Sequence, residues 1–156
     1  TFVCDVLKGF AACYIGKMLF CYALNTGGVK WAYPAYGVYL CGVACMLGHV
    51  FPVFFQFKGG KGVASSCGVM LVCFPLPAII CFVFCLALIY LSKYISLGSM
   101  SMLTLYAILV SFQNAGNWLV IVWSVLLAAL CILRHRSNIQ RLCRGEENRL
   151  GSKKKA

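Results

Sequence analysis

Six apolar stretches separated by short polar segments occupy most of this 156-residue chain. Apolar residues make up 62% of the sequence and charged residues only 11%, which excludes an ordinary soluble domain. A backbone surrounded by lipid must satisfy its own hydrogen bonds, so the predicted fold is an all-α, polytopic transmembrane helical bundle. Several stretches fall short of the roughly 20 residues that cross a bilayer unaided. The predicted spans are Phe2–Leu24, Tyr36–Phe55, Val63–Phe74, closed by Pro75-Leu76-Pro77, then Ala78–Leu91, Leu97–Phe112 and Trp118–Leu133.

The distribution of positive charge predicts the orientation of these spans. Six crossings place twelve of the fourteen lysines and arginines on one side, and this face is predicted to be cytoplasmic. Because the net charge of +11 lies in loops and at the C-terminus, an anionic leaflet or a phosphate substrate is the expected partner, not nucleic acid. We expect one domain, residues 1–156, with residues 134–156 as its basic cytoplasmic C-terminal segment. The two exceptions are Lys30, on the opposite side, and Lys17, within the first span.

The eleven cysteines lie mostly within the apolar stretches. No Cys-x-x-Cys pair occurs, and no histidine stands at metal-ligand spacing from a cysteine pair. A buried cysteine behaves as a small hydrophobic residue, so we interpret these residues as packing residues and expect no metal.

One segment concentrates polar groups in an otherwise apolar chain: Gly48-His49-Val50-Phe51-Pro52, continuing through Phe57-Lys58-Gly59-Gly60-Lys61-Gly62 to Ser66. A glycine-rich loop that leads into a helix lets backbone N–H groups approach an anion, and lysines add full charges. It is not a Walker A loop, because Gly62 follows Lys61 where a Ser or Thr is needed. The pattern therefore indicates a phosphate site, and from spacing alone an ordinary Gly/Lys loop between membrane helices is equally consistent.

The C-terminal segment carries a second group of polar residues. On a helix, His135, Asn138 and Arg141 would follow one another at one-turn intervals on one face. An imidazole can orient or deprotonate a hydroxyl, an amide can hold a hydroxyl or carbonyl, and an arginine can hold a phosphate. The residues alone slightly favour the alternative, a basic amphipathic tail lying on anionic headgroups.

Three motifs follow one another along the chain: Asp5-x-x-Lys8-Gly9, then Gly48-His49-x-Phe51-Pro52 through Phe57-Lys58-Gly59-Gly60-Lys61-Gly62-Val63-Ala64, and His135-x-x-Asn138-Ile139-x-Arg141-Leu142-x-x-Gly145-x-Glu147. Together they resemble the bacterial acylphosphate-dependent glycerol-3-phosphate acyltransferases of the PlsY type. The resemblance covers essentially the whole chain, in order and with matching spacing.

The resemblance implies transfer of a fatty acyl group from acyl phosphate to the 1-hydroxyl of glycerol 3-phosphate, giving lysophosphatidic acid and phosphate. It implies a multi-pass enzyme of the bacterial inner membrane, with membrane lipid around it and its site facing the cytoplasm. An acyl phosphate is a mixed anhydride with a good leaving group, so positioning and charge stabilisation suffice and we expect no cofactor.

The resemblance also implies roles for individual residues. Gly59, Gly60, Lys61 and Gly62 resemble the phosphate-binding loop of the family. His135 and Asn138 match its C-terminal polar pair, so Lys61, His135 and Asn138 are the predicted catalytic residues. The other predicted substrate-binding residues are Lys58, Ser99, His49 and Arg141, and Asp5, Lys8 and Glu147 are predicted to be structural or charge-pairing residues. Either His135 or the leaving phosphate is the expected base.

The chain departs from the family at one motif. Family members carry Ser-Gly-Asn-x-Gly-Ala-Thr-Asn and a following arginine after a first membrane helix, whereas this chain opens at Thr1 shortly before Asp5. We therefore expect an N-terminally incomplete copy with six of the family's seven membrane helices, in which the missing motif puts catalysis in question.

Two other function classes compete with the enzyme. A non-catalytic membrane scaffold or anion-binding protein would keep the fold and the phosphate-binding surface. A small transporter has less support, because it would need internal repeats or polar groups at mid-membrane and, apart from Lys17, the spans are apolar. The complete motifs at Gly48–Ala64 and His135–Glu147 favour the enzyme.

Overall fold

The computed structural model describes residues 1–27, 34–52 and 59–151. Within these ranges the chain forms seven helices and no strand, which confirms the all-α prediction. The helices are α1 (Phe2–Gly27), α2 (Pro34–Val50), α3 (Val63–Cys73), α4 (Pro75–Ser92), α5 (Ile95–Gln113), α6 (Trp118–Arg134) and α7 (Arg136–Cys143).

Each of the six apolar stretches becomes one helix, α1 to α6, and most of the predicted ends differ from the observed ones by one to five residues. Two of these differences, at the end of α2 and the start of α4, have an identifiable cause. Helix α2 ends at Val50 and does not continue through Phe51. Pro52 has no N–H and disfavours helical geometry at the residue before it, which ends the helix here. Residues 53–55 of the predicted span lie outside the described ranges.

The second corrected boundary is the start of α4. Pro75 was expected to lie in a closing turn, and it is instead the first residue of α4, three residues before the predicted start at Ala78. Proline suits the first position of a helix because its missing N–H would have no intrahelical acceptor there. Phe74 alone separates α3 from α4, and its non-helical backbone (φ −142°, ψ 84°) provides the break.

By length and composition, fewer than the six predicted membrane spans are long and apolar enough to cross a membrane. Within the described ranges, α4 with 18 residues and α5 with 19 are long and apolar enough to cross a membrane. Helices α6 and α7 meet this test only as a pair bent by 60°. Helices α2 and α3 are shorter apolar helices. Large apolar side chains remain exposed on α4 and α5, including Leu91 at 77% and Phe112 at 80%, as a lipid-facing surface requires.

The chain divides into two compact units, residues 1–78 and residues 79–156. In the first unit, α1 packs closely on both α2 and α3 through glycines. A Cβ on Gly16 or Gly37 would overlap the backbone oxygen of the other, and one on Gly9 or Gly68 would overlap the facing backbone of α3 or α1. Small residues let helices approach closely where lipid supplies no hydrophobic driving force. These contacts place the start of α1 beside the end of α2.

In the second unit, α5 and α6 enclose a core around Tyr106, which is fully buried and meets the Trp123 ring edge-on at a centroid distance of 6.4 Å. Beyond α7 the chain returns to the turn between α4 and α5. There the Leu150 N–H donates to the Lys93 carbonyl at 2.7 Å, and Arg149 Nε donates to the Tyr94 hydroxyl at 3.0 Å. Residues 149–150 are therefore fixed against the turn that precedes α5.

Candidate functional site

The first cluster of polar side chains lies in unit 1 and joins α1 to the end of α2. Lys8 Nζ donates to Asp5 Oδ1 at 2.7 Å, one helical turn away on α1. The same ammonium lies 2.8 Å from Nδ1 of His49, the second-last residue of α2. His49 Nδ1 is 3.5 Å from Asp5 Oδ1, which is too long for a hydrogen bond of ordinary strength.

The partner of Nδ1 determines the tautomer of His49. A lysine ammonium has three donors and no acceptor, so Nδ1 must accept from Lys8 and cannot carry a proton. The proton of the neutral imidazole is then on Nε2. His49 therefore presents an N–H donor at Nε2.

The glycine segment folds over the end of α2. The Gly60 N–H donates to the His49 carbonyl at 3.3 Å, and a Cβ on Gly60 would overlap His49 Nε2. A Cβ on Gly59 would likewise overlap the His49 carbonyl oxygen, and Gly62 has φ +79°, a left-handed conformation that favours glycine. Close packing on α2 thus explains why positions 59 and 60 are glycine, and the left-handed backbone explains the glycine at position 62. Lys61 is exposed, and Lys58 lies outside the described residues.

The second cluster lies in unit 2 and is centred on His135, the one residue between α6 and α7. Its backbone N–H donates to the carbonyls of Cys131 and Ile132 at 3.1 and 3.0 Å, which ends α6. Its side chain is buried, with 2% exposed, and Nδ1 lies 2.8 Å from the Cys131 carbonyl oxygen. A carbonyl only accepts, so Nδ1 carries the proton and the lone pair of the neutral ring is on Nε2.

Glu147 organises the polar groups of α7 and the start of α5. Its carboxylate accepts hydrogen bonds from Asn138 Nδ2 at 2.6 Å, Arg141 Nε at 2.8 Å and Ser96 Oγ at 2.9 Å. The carboxylate can only accept, so it fixes the Asn138 amide with its NH₂ group toward Glu147. Asn138 Oδ1 is then a buried acceptor with no hydrogen-bond partner among the described residues.

The same contacts change the acidity of Glu147. Burial of its side chain, of which 7% is exposed, would raise the pKa, but the hydrogen bonds from Arg141, Asn138 and Ser96 outweigh it and hold the pKa of Glu147 below its usual range. Glu147 is therefore ionised at neutral pH, which keeps the Asn138 amide in this orientation.

The structure corrects one detail of the predicted C-terminal motif. His135 does not share a helix face with Asn138 and Arg141, because α6 ends at Arg134 and the chain bends by 60° before α7 begins at Arg136. Arg141 was predicted to hold phosphate. Its Nε donates a hydrogen bond to the Glu147 carboxylate, and 43% of its side chain is exposed.

Ser99, another predicted site residue, is buried and donates its hydroxyl to the Ile95 carbonyl of its own helix at 3.0 Å. Its predicted role in substrate binding stays a prediction. The role of Ser96 as a donor to Glu147 was missed, and the only sequence signal was Glu147 itself. A carboxylate in a basic segment, one of three acidic residues in the chain, needs donors nearby.

Comparisons with known proteins support one family. A family model described as "Glycerol-3-phosphate acyltransferase" matches residues 1–145. A glycerol-3-phosphate acyltransferase of Thermoanaerobacter sp. (strain X514) is 40% identical over 154 residues, covering 98% of this chain and 70% of the relative. One from Finegoldia magna is 34% identical over 151 residues, covering 97% of this chain and 70% of the relative.

A solved structure resembles the fold as well. The chain superimposes with a TM-score of 0.76 on the crystal structure of PlsY (YgiH), an integral membrane glycerol 3-phosphate acyltransferase, in its glycerol 3-phosphate form. The sequences are 34% identical, and the match covers 96% of this chain and 69% of PlsY. A second PlsY structure, in its lysophosphatidic acid form, matches with the same TM-score of 0.76. The chain belongs to the glycerol-3-phosphate acyltransferase family of membrane proteins.

Proposed function

We propose that this chain transfers a fatty acyl group from acyl phosphate to the 1-hydroxyl of glycerol 3-phosphate, releasing lysophosphatidic acid and inorganic phosphate. Family membership supports the acceptor, since the PlsY relative is described in a glycerol 3-phosphate form and a lysophosphatidic acid form. The observation that carries the proposal is the pair of buried residues His135 and Asn138, each held by a defined partner with an acceptor atom at its other end.

These two acceptors suit a substrate with hydroxyl groups. The neutral His135 has its lone pair on Nε2, and the Asn138 amide has Oδ1 opposite the NH₂ group bound to Glu147. A hydroxyl that donates to Nε2 becomes more nucleophilic, and a neighbouring hydroxyl can donate to Oδ1. The pair would thus orient a diol and polarise the hydroxyl that reacts.

The proposed reaction needs one nucleophilic substitution at the acyl carbon. The 1-oxygen forms a bond to the carbonyl carbon, the bond from that carbon to the phosphate oxygen breaks, and its electron pair leaves with the phosphate. The hydroxyl proton goes to His135 Nε2 or to the departing phosphate. Both routes balance, and they differ in whether His135 acts as the base or orients the hydroxyl.

Phosphate binding is assigned to the glycine segment of unit 1. Lys61 is exposed there, and Gly59, Gly60 and Gly62 bring the backbone close to His49 at the end of α2. Backbone N–H groups and a lysine ammonium are suited to phosphate oxygens. Lys58 and Arg141 remain proposed contributors. The positive-charge count supports a site that faces the cytoplasm of a bacterial inner membrane.

The test is turnover by the purified protein in lipid with palmitoyl phosphate and glycerol 3-phosphate, with phosphate release and lysophosphatidic acid both measured. The expected result is equal formation of both products, and loss of both in Lys61→Ala. A second preparation, preceded by a relative's segment with the Ser-Gly-Asn-x-Gly-Ala-Thr-Asn motif, shows whether that motif is needed. Absence of product in both preparations would contradict the enzyme and favour the non-catalytic scaffold.

A further inference from the structure

We propose that Lys8 is a positioning residue that fixes the Nε2–H tautomer of His49, so that His49 presents an N–H donor to a phosphate group at the Gly59–Gly62 segment. The proposal rests on the proposed function for the identity of the ligand, because both substrates carry a phosphate group. The positioning itself rests on geometry within unit 1.

The first step is the contact between Lys8 and His49. Their polar atoms lie 2.8 Å apart although the residues are 41 positions apart in the chain. Two donors cannot face each other at this distance, so the ammonium donates and Nδ1 accepts. A protonated, cationic His49 would place two positive groups in contact, so the arrangement also requires a neutral imidazole.

The second step is how Lys8 is held. Its ammonium also donates to Asp5 Oδ1 at 2.7 Å, one turn earlier on α1. Asp5 is 28% exposed and Lys8 42%, whereas His49 is 18% exposed. The carboxylate therefore anchors a partly exposed lysine side chain so that its second contact, to His49, stays in place.

The third step is where the other edge of the imidazole lies. A Cβ on Gly60 would overlap His49 Nε2, so this edge of the ring packs directly against the backbone of the glycine segment. Lys61 follows immediately and is exposed. An Nε2–H group at this segment would add a neutral, directional donor to the positive charge that Lys61 supplies. Phosphate oxygens only accept when ionised, so the opposite tautomer would present a lone pair that repels them.

Nuclear magnetic resonance tests the tautomer without any need for activity. The chain has only two histidines, so protein labelled with ¹⁵N-histidine in detergent gives four ring nitrogen signals. At about pH 8, above the ordinary histidine pKa of about 6.5, we expect His49 to be protonated at Nε2 and His135 at Nδ1. Assignment follows from His49→Gln, which removes one ring. A proton on His49 Nδ1 would overturn the proposal.

Two variants on α1 then separate positioning from general packing. Lys8→Met removes the donor with little change in length, and we expect a mixture of His49 tautomers and a KM for the phosphate-bearing substrates raised about tenfold, the loss expected for one hydrogen bond, with a smaller change in kcat. Lys8→Arg keeps a donor and should restore both. The matched control is Lys17→Met, the same exchange on the same helix, where we expect neither change. An unchanged tautomer in Lys8→Met would overturn the proposal.

A second pair of variants tests the donor itself. The glutamine amide of His49→Gln can reach the Nε2 position with an N–H, whereas the asparagine amide of His49→Asn reaches only the Nδ1 position. We expect His49→Gln to retain a lower KM than His49→Asn, and equal KM values would contradict a donor at Nε2. The KM of each substrate, measured separately, shows which phosphate is bound. The expected tautomers together with no turnover, both in the wild type and in the preparation preceded by the relative's segment, would refute the proposed reaction while leaving the positioning by Lys8 standing.

Discussion

His49 and His135 both lie at the end of a helix, and in both the atom facing Nδ1 determines the chemistry of Nε2. The Cys131 carbonyl, four residues earlier on the same helix, accepts from Nδ1 of His135 and leaves the lone pair on Nε2. The Lys8 ammonium, on a different helix, donates to Nδ1 of His49 and leaves the proton on Nε2.

This difference suits the two residues to opposite tasks. His135 can accept a proton from a hydroxyl, whereas His49 can donate a hydrogen bond to an anion. The proposed acyl transfer involves a hydroxyl that loses a proton and a phosphate anion that must be bound. The contrast also shows that residue type does not identify a role, because two imidazoles of the same sequence become complementary groups.

The largest expected effect comes from His135→Gln, which removes the imidazole that can accept a proton. If His135 is the base, kcat should fall by about 10²- to 10⁴-fold, the usual contribution of general base catalysis, with little change in KM. Phosphate release under saturating substrate measures it. A variant that keeps most of its turnover and only raises KM would make the leaving phosphate the base.

Gly60→Ala tests the close packing of the glycine segment on His49. The added methyl group would overlap the imidazole, so we expect a loss of about 1–3 kcal/mol in stability, typical of overpacking, together with a raised KM for the phosphate-bearing substrates. Gly48→Ala is the matched control, since apart from the backbone of its own helix no heavy atom of the described residues lies within 4 Å of its added Cβ. Thermal unfolding in detergent and initial rates measure both effects. Equal effects of the two substitutions would show that His49 does not pack on Gly60.

Glu147→Gln tests the partner that orients Asn138. The pKa of Glu147 is lowered in the folded protein, so the folded state binds this proton less readily than the unfolded state, whose glutamate pKa is about 4.3. Its stabilisation is therefore complete above about pH 4.3 and is lost as the pH falls through the lower, folded value.

At pH 7 we expect the wild type to have a higher apparent Tm than Glu147→Gln. The difference in the free energy of unfolding should be about 1–3 kcal/mol, because the substitution removes a charged, buried hydrogen-bond acceptor. The difference should shrink in strong acid. Melting curves across pH measure it, and Glu146→Gln, at the exposed neighbouring position, serves as the control. Parallel pH profiles of wild type and Glu147→Gln would contradict the lowered pKa.

The smallest expected effect is that of Asp5→Asn. The ion pair with Lys8 is partly exposed, at 28% and 42%, and such pairs contribute about 0–1 kcal/mol. The variant should unfold almost as the wild type does, while Lys8 loses one anchor and the KM for phosphate-bearing substrates rises slightly. Melting curves and initial rates check both. A stability loss as large as that of Glu147→Gln would show that the two carboxylates contribute equally to the stability of the fold.

Much of the fold was predictable because apolar content and helix length follow directly from the sequence. All six apolar stretches became helices, and the family motifs contain most of the polar residues that form the two clusters. Helix ends were less predictable, as at Pro75, where the same residue suits the end of one helix and the start of the next. The bend at His135 was missed because a continuous helix through Arg134 and Arg136 fits the same spacing.

The local sequence alone contains what determines the His135 tautomer, because a histidine at the end of a helix has the carbonyl of the residue four positions earlier within reach of Nδ1. It does not contain what determines the His49 tautomer. Lys8 is 41 residues away, and only the close packing of α1 on α2 and α3, permitted by facing glycines, brings its ammonium to Nδ1. The same holds for Glu147, which meets Ser96 from 51 residues away. Composition and motifs thus determined a helical membrane acyltransferase, whereas tertiary packing decided which atom of each side chain donates and which accepts, because hydrogen-bond direction depends on the partner that packing supplies.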